Sequence, residues 1–414
     1  MVLTTADDRD QDSPATPPVK HPGLVLLALA LGAFGTTEFA AMSLLPFVAR
    51  GLHVSEPTAS HIISAYALGV VVGAPRITIL AARFSRRGLL LSLMGLFTLA
   101  NGLSTLAPSY GWMLLFRFVS GLPHGAYLGV AALVAAARVP QDRKAWAVSR
   151  VFLGLTVASW LGQGVGWRWG FAMVTALALL AMVLLLLFAP DDRAAPRTNA
   201  LRELGALKRG QVWLTLGIGA CGFGGMFAVY AYLASTLIIV TKLPLGLVPV
   251  ASCIFGAGLT AGNLLAPVFA DQALMPTAGG VLAWSIVMLL AYPFAAHNAW
   301  TIGGDIFLIG CGQALGTVLQ ARLMDVARDA QALAVALNHS AFNVANAIGP
   351  WLGGLAISAG YGWTSTGLVG VALAASGLAI WFVSLILERR NRTRSQVVSH
   401  LWYRRPSPAW LIQE

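Results

Sequence analysis

Apolar runs long enough to cross a bilayer recur along this 414-residue chain with little between them. A hydrocarbon core about 30 Å thick takes roughly 20 residues of helix. Twelve runs of that size read at 24–49, 60–82, 88–107, 111–137, 145–165, 167–189, 212–240, 246–270, 278–296, 300–324, 331–359 and 362–387. They are continuous rather than alternating, so they predict helices and not the strands of a barrel. Composition excludes the soluble alternatives. Charged residues are 10% of the chain and hydrophobic ones 57%, whereas a soluble globular chain carries about 25% charge. The expected fold class is all-α: a polytopic membrane protein with twelve transmembrane helices.

Basic residues set its expected orientation. Arg83, Arg86 and Arg87 follow span two; Arg138, Arg143, Lys144 and Arg150 surround the link from four to five; Arg193, Arg197, Arg202, Lys208 and Arg209 lie between six and seven. Arg322 and Arg328 follow span ten, and Arg389, Arg390, Arg392 and Arg394 follow span twelve. The alternate loops hold only Arg50, Arg168 and Lys242. Both termini are therefore expected in the cytoplasm and the protein in the cell membrane. Residues 1–23 are acidic and proline-bearing and lack the features of a signal peptide, which predicts a disordered cytoplasmic tail.

Pro190 to Gly210 is the longest internal hydrophilic stretch. It divides the chain into an N-terminal six-helix bundle (24–189), a cytoplasmic linker (190–211), a C-terminal six-helix bundle (212–387) and a cytoplasmic tail (388–414). The halves echo one another: Gly69 and Gly73 in span two recur as Gly258 and Gly262, at a constant offset of 189. Span five reads Phe152 to Trp167 and span eleven Phe342 to Trp363 with a similar pattern, though span five is shorter. A repeated six-helix unit is how transporters place a midplane site between two rocking halves.

Three strings carry a family likeness: Gly35-Thr36-Thr37-Glu38-Phe39 with Met42 in span one, His61 to Pro75 in span two, and Arg117 to Ala126 in span four. With them the chain resembles the major facilitator superfamily, and within it the arabinose-efflux-permease-like branch of the drug:proton antiporters, over about residues 24 to 387. The resemblance implies two pseudo-symmetric six-helix bundles, alternating access, and a monomer. It implies that Arg117 helps drive proton transfer. It also implies that the loop after span two (Gly73, Arg83, Arg86, Arg87), echoed by Asp271 in the second half, latches the inner face. The chain departs from the family pattern at Ala82, where an acid is usual, and at Arg76. The antiporter glycine-proline motif is missing from span five, while span eleven keeps Gly349-Pro350 to Gly353-Gly354. Span one is short before Thr36.

A charge inside a membrane span costs about 2.5–3.5 kcal/mol on insertion scales, so each one needs a reason. Glu38, in the middle third of span one, reads as a carrier of one proton, with a packing hydrogen bond as the bland alternative. Arg117, Gly121 and His124 share one face of span four at i, i+4 and i+7. Arg117 is either a partner in proton coupling or a structural cation. His124 either titrates near neutral pH or hydrogen-bonds substrate. Gly121 and Gly125 admit a neighbouring helix closely, and Gly349, Pro350 and Gly353 read as packing positions in span eleven. His339, Asn343 and Asn346 form a polar stripe at i, i+4 and i+7, lining a substrate cavity or joining helices. Gln313 in span ten and Tyr66 in span two are further cavity candidates. Asp305 lies a few residues inside span ten and is expected to be solvated.

Other chemistries find no support. Cys221, Cys253 and Cys311 sit in apolar runs at no metal-ligand spacing. Gly217, Gly219 and Gly222 match the spacing of a dinucleotide loop, but inside a span with no preceding strand. The net charge of +11 lies in topogenic loops without the aromatic interleaving of a nucleic-acid groove. The expected function is proton-coupled efflux of small molecules, drugs or sugars, with no cofactor and no metal; the partners are substrate, protons and lipid. Two alternatives stand beside it: an uncoupled or inward carrier of a sugar or metabolite, and a protein whose shortened spans one and five leave it unable to transport.

Overall fold

The computed structural model describes residues 37–81, 85–128, 166–188, 205–327 and 331–403. All of span five, the start of span one, the residue 1–23 tail, Arg83 and most of the linker lie outside these residues. So do the expectations that rest on them, including the motif missing from span five.

Among the described residues eight helices are long and apolar enough to span a bilayer: Glu56–Ile77, Arg87–Thr105, Trp167–Leu187, Gly210–Ile239, Leu245–Ala270, Leu274–Ala295, Ala299–Ala327 and Ser365–Arg390. They coincide with expected spans two, three, six, seven, eight, nine, ten and twelve. Span eleven is the helix Gln331–Ser358, which carries the His339, Asn343 and Asn346 stripe. Span four begins as Tyr110–Gly121 and resumes as helix after a break at Leu122 and Pro123. The helix starts carry the local signals that polar side chains provide. Ser85 Oγ accepts from Gly88 N at 3.2 Å before span three, and Asn298 Oδ1 accepts from Trp300 N at 2.8 Å before span ten.

Spans two and four pack backbone to backbone, and the 189-residue repeat reappears as a repeat of contacts. A Cβ on Gly69 would stand 2.1 Å from Phe118 O, one on Gly73 2.0 Å from Leu122 O, and one on Gly121 2.1 Å from Tyr66 O. Adding 189 to every number gives the contacts of spans eight and ten. Gly258 meets Phe307 O at 2.1 Å, Gly262 meets Cys311 O at 2.2 Å, and Gly310 meets Phe255 O at 2.6 Å. Glycine is required at these crossings because any side chain would overlap a neighbouring carbonyl. Gly125 lies in the same seam, where a Cβ would come 2.5 Å from Ala74 Cβ.

Among the described residues the two halves meet along spans one, two, seven, eight and eleven. Ser64 Oγ of span two donates to Ala347 O of span eleven at 2.9 Å. At the end of the bundle that carries Glu56 and Ser358, Ser235 Oγ donates to the Glu56 carboxylate. There too a Cβ on Gly354 would lie 3.4 Å from Pro57 Cβ. The Phe39 ring of span one sits edge-on to Tyr230 at 5.4 Å and tilted against Phe255 at 6.4 Å. Among the described residues, groups from both halves touch at this end of the interface.

Candidate functional site

Glu38 is 5% exposed, on the short stretch of span one that precedes the helix Leu45–Gly51. Asn346 of span eleven donates through Nδ2 to Glu38 Oε1 at 2.5 Å, joining residues 308 apart in sequence. The sequence placed both residues in candidate roles but gave no signal that they meet.

Next to Glu38, Thr37 anchors a second polar group. Arg117 Nη1 donates to Thr37 Oγ1 at 2.9 Å, and Thr37 Oγ1 donates to Asn101 Oδ1 of span three at 2.8 Å. Arg117 is 1% exposed. Its guanidinium stands 4.3 Å from the centroid of Tyr66 and 5.4 Å from that of Phe171, and its Nε has no hydrogen-bond partner. No ion pair holds it among the described residues; Glu38 acts on it only through space. A buried cation without a salt bridge draws on ring quadrupoles instead, worth about 2 kcal/mol when desolvated. The planar guanidinium suits this stacking in a way a lysine ammonium does not.

Tyr66 extends the chain. Its hydroxyl hydrogen-bonds His124 Nδ1 at 2.7 Å, and His124 faces His339 of span eleven with ring centroids 6.5 Å apart. The residues Asn101, Thr37, Arg117, Tyr66, His124 and His339 therefore form one connected path from span three to span eleven, with Glu38 and Asn346 at its side. Tyr66, expected at the cavity wall, is the bridge between Arg117 and His124.

Among the described residues three buried amide oxygens have no hydrogen-bond partner: Gln313 Oε1, Asn343 Oδ1 and Asn346 Oδ1. Gln313 sits at the break in span ten, between the helices Ala299–Cys311 and Ala314–Ala327. Discontinuous helices at membrane depth are typical of transporter binding sites. Phe223, Phe227 and Phe342 pack nearby, Phe342 edge-on to the other two at 4.8 Å each. These phenylalanines were not singled out in the sequence, where phenylalanine is an ordinary span residue.

The remaining expected positions fall elsewhere. Gly73 packs helix against helix. Arg87 donates to Leu186 O at 2.6 Å, tying span three to the end of span six inside one half. Arg86 opens the span-three helix. Asp271 is exposed at the turn after span eight. Gly349 lies against Gly224 O of span seven, where a Cβ would come to 2.3 Å, and Gly353 lies against Tyr232. Pro350 O accepts from Tyr232 Oη at 2.9 Å. Asp305 corrects its expectation: it is 7% exposed rather than solvated, because the side chain turns into the bundle although its Cα is near the helix start. No cluster of metal-ligating side chains occurs among the described residues.

Comparison with known proteins agrees with this architecture. The family model described as the Major Facilitator Superfamily matches residues 27–327. The inner membrane transport protein YdhP of Escherichia coli K12 is 40% identical over 372 residues, covering 87% of this chain and 95% of that one. A chloramphenicol resistance protein of Streptomyces lividans is 32% identical over 373 residues, covering 84% and 94%. A crystal structure of the nucleoside transporter NupG superposes with a TM-score of 0.66 at 14% identity, covering 88% of this chain and 99% of that one, a likeness of fold alone. A buried polar path between two helical halves, on a chain with these relatives, is the interior of a carrier and not of an enzyme, and the chain belongs to the Major Facilitator Superfamily.

Proposed function

We propose that the protein exports small molecules across the cell membrane in exchange for protons, by alternating access between bundles 24–189 and 212–387, with both termini in the cytoplasm. The observation that carries this reading is the hydrogen bond from Asn346 to Glu38. It crosses between the halves, and its strength depends on a proton. An ionised carboxylate accepts a charge-assisted bond, and a neutral carboxyl accepts a weaker one. The difference is about 1–2 kcal/mol, roughly tenfold in the balance between two conformations. Protonating Glu38 from the outer side thus loosens span one from span eleven, and losing the proton on the inner side tightens them again.

Arg117 supports this role without neutralising Glu38. Its positive charge makes the ionised state accessible, and the absence of a direct ion pair leaves the carboxylate free to bond Asn346. One proton moving inward across 100 mV supplies about 2.3 kcal/mol, roughly a fiftyfold gradient. The open acceptors Gln313 Oε1, Asn343 Oδ1 and Asn346 Oδ1, beside the phenylalanine cluster, suit a substrate that donates hydrogen bonds and carries an apolar face. The end of the bundle closed by Glu56 and Ser235 is then the outer one.

The reading is tested by efflux of dyes, antibiotics and labelled pentoses from energised cells, each with and without a protonophore. Export that collapses with the protonophore supports it. Export that persists at full rate contradicts proton coupling.

A further inference from the structure

Two carboxyl side chains are buried within the spans among the described residues, Glu38 and Asp305, and only the first takes part in the path described above. Asp305 stands on the second turn of the helix Ala299–Cys311. Its Oδ2 has no hydrogen-bond partner, and no cation pairs with it among the described residues. Tyr292 of span nine is fully buried, and its hydroxyl lies within electrostatic reach of Asp305. Thr236 of span seven and Thr366 of span twelve approach the same hydroxyl.

The balance of donors and acceptors in this nest is uneven. Thr236 Oγ1 donates to Tyr232 O at 3.1 Å and Thr366 Oγ1 to Trp363 O at 3.0 Å, so both hydroxyls have spent their protons and can only accept. Tyr292 therefore has its hydroxyl proton facing the two threonine oxygens, and it acts on Asp305 only through space. An ionised carboxylate buried there, with no cation among the described residues and no donor on Oδ2, is costly by several kcal/mol. One proton on the carboxyl removes the charge. The other titratable groups nearby do not replace it. His297, at the turn between spans nine and ten, is exposed and forms no ion pair with Asp305; Cys253 of span eight lies by Tyr230, and Glu56 of span two faces Ser235.

We propose that Asp305 is a proton-binding site of the C-terminal half, buried without a cation or a donor on Oδ2 among the described residues and held as a neutral carboxylic acid in the neighbourhood of Tyr292. Its position ties it to the seam between the halves. Thr236 is the neighbour of Ser235, whose hydroxyl holds Glu56 across the interface. Movement of span seven away from span two therefore disturbs the nest and opens it to water, where the proton leaves. The inference does not depend on Glu38 being the coupling residue.

Infrared spectroscopy of the full-length protein in lipid, grown with carboxyl-labelled aspartate, tests it without any transport assay. The expected result is a protonated-carboxyl band that shifts with the label, is lost in Asp305→Asn and survives in Glu38→Gln. Tyr292→Phe is expected to move the band without removing it, which keeps the test valid where Asp305→Asn folds poorly. A spectrum with no label-sensitive protonated carboxyl, or one unchanged by Asp305→Asn, overturns the proposal. Loss of the band when sodium replaces choline at constant pH also overturns it, in favour of a sodium site.

Discussion

Asn346 Nδ2 and Glu38 Oε1 stand 2.5 Å apart, so a residue of span eleven directly contacts the carboxyl of span one. Removing the amide tests what that contact does. Asn346→Ala is expected to slow proton-driven export about tenfold or more, the worth of a hydrogen bond to a charged group, and to flatten its pH dependence. Initial rates of efflux across a pH series, normalised to the amount of inserted protein, give the measurement. An unchanged pH profile would remove this bond from the mechanism.

Arg117 is held by rings and one hydroxyl instead of a carboxylate. Arg117→Lys keeps the charge but loses the planar stack on Tyr66. It is expected to behave almost as poorly as Arg117→Ala, at least tenfold below the natural protein, given about 2 kcal/mol for a desolvated cation–ring contact. Full activity in the lysine variant would mean that charge alone matters at this position.

The seam at the Glu56 end is close enough to cross-link. A Cβ on Gly354 lies 3.4 Å from Pro57 Cβ, at the edge of the 3.5–4.5 Å range of disulfides. A Cβ on Gly354 would also meet Tyr232 Oη at 2.5 Å, so in a background lacking Cys221, Cys253 and Cys311 and carrying Tyr232→Phe, the pair Pro57→Cys and Gly354→Cys is expected to oxidise. Transport should then stop, and a reductant should restore it. Transport that continues through the oxidised pair would show that this end does not open during the cycle.

The repeated glycine crossings make a matched stability prediction. Gly69→Val and Gly258→Val each force a side chain into a carbonyl oxygen, and overpacking of this kind costs about 1–3 kcal/mol or more. Both variants are expected to lower the melting temperature in detergent by similar amounts. A large drop in only one would deny that the two crossings are structurally equivalent.

How much of this was legible in the sequence depends on the range of the interaction. Spans two and three, six to ten, and twelve could be read because burial in lipid is a local property of about 20 consecutive residues. The glycine repeat was visible at an offset of 189 because a backbone crossing permits one residue type only. The stripe His339, Asn343 and Asn346 followed from helical spacing, and Glu38 and Arg117 stood out as charges in apolar runs. What those residues touch was not legible. The bonds from Glu38 to Asn346 and from Arg117 to Thr37 join positions 308 and 80 residues apart, and no spacing rule connects them. For Asp305, nearness to a helix start implies nearness to water, but the side chain points inward. The Phe223, Phe227 and Phe342 cluster was hidden by the abundance of apolar residues around it.

The most direct test of the central claim is substrate flux in proteoliposomes containing the natural protein or Glu38→Gln, once with a pH gradient and once with a substrate gradient alone. The account predicts that the pH gradient drives accumulation only in the natural protein, while Glu38→Gln still exchanges substrate down its own gradient. Accumulation driven by pH at an undiminished rate in Glu38→Gln would contradict it.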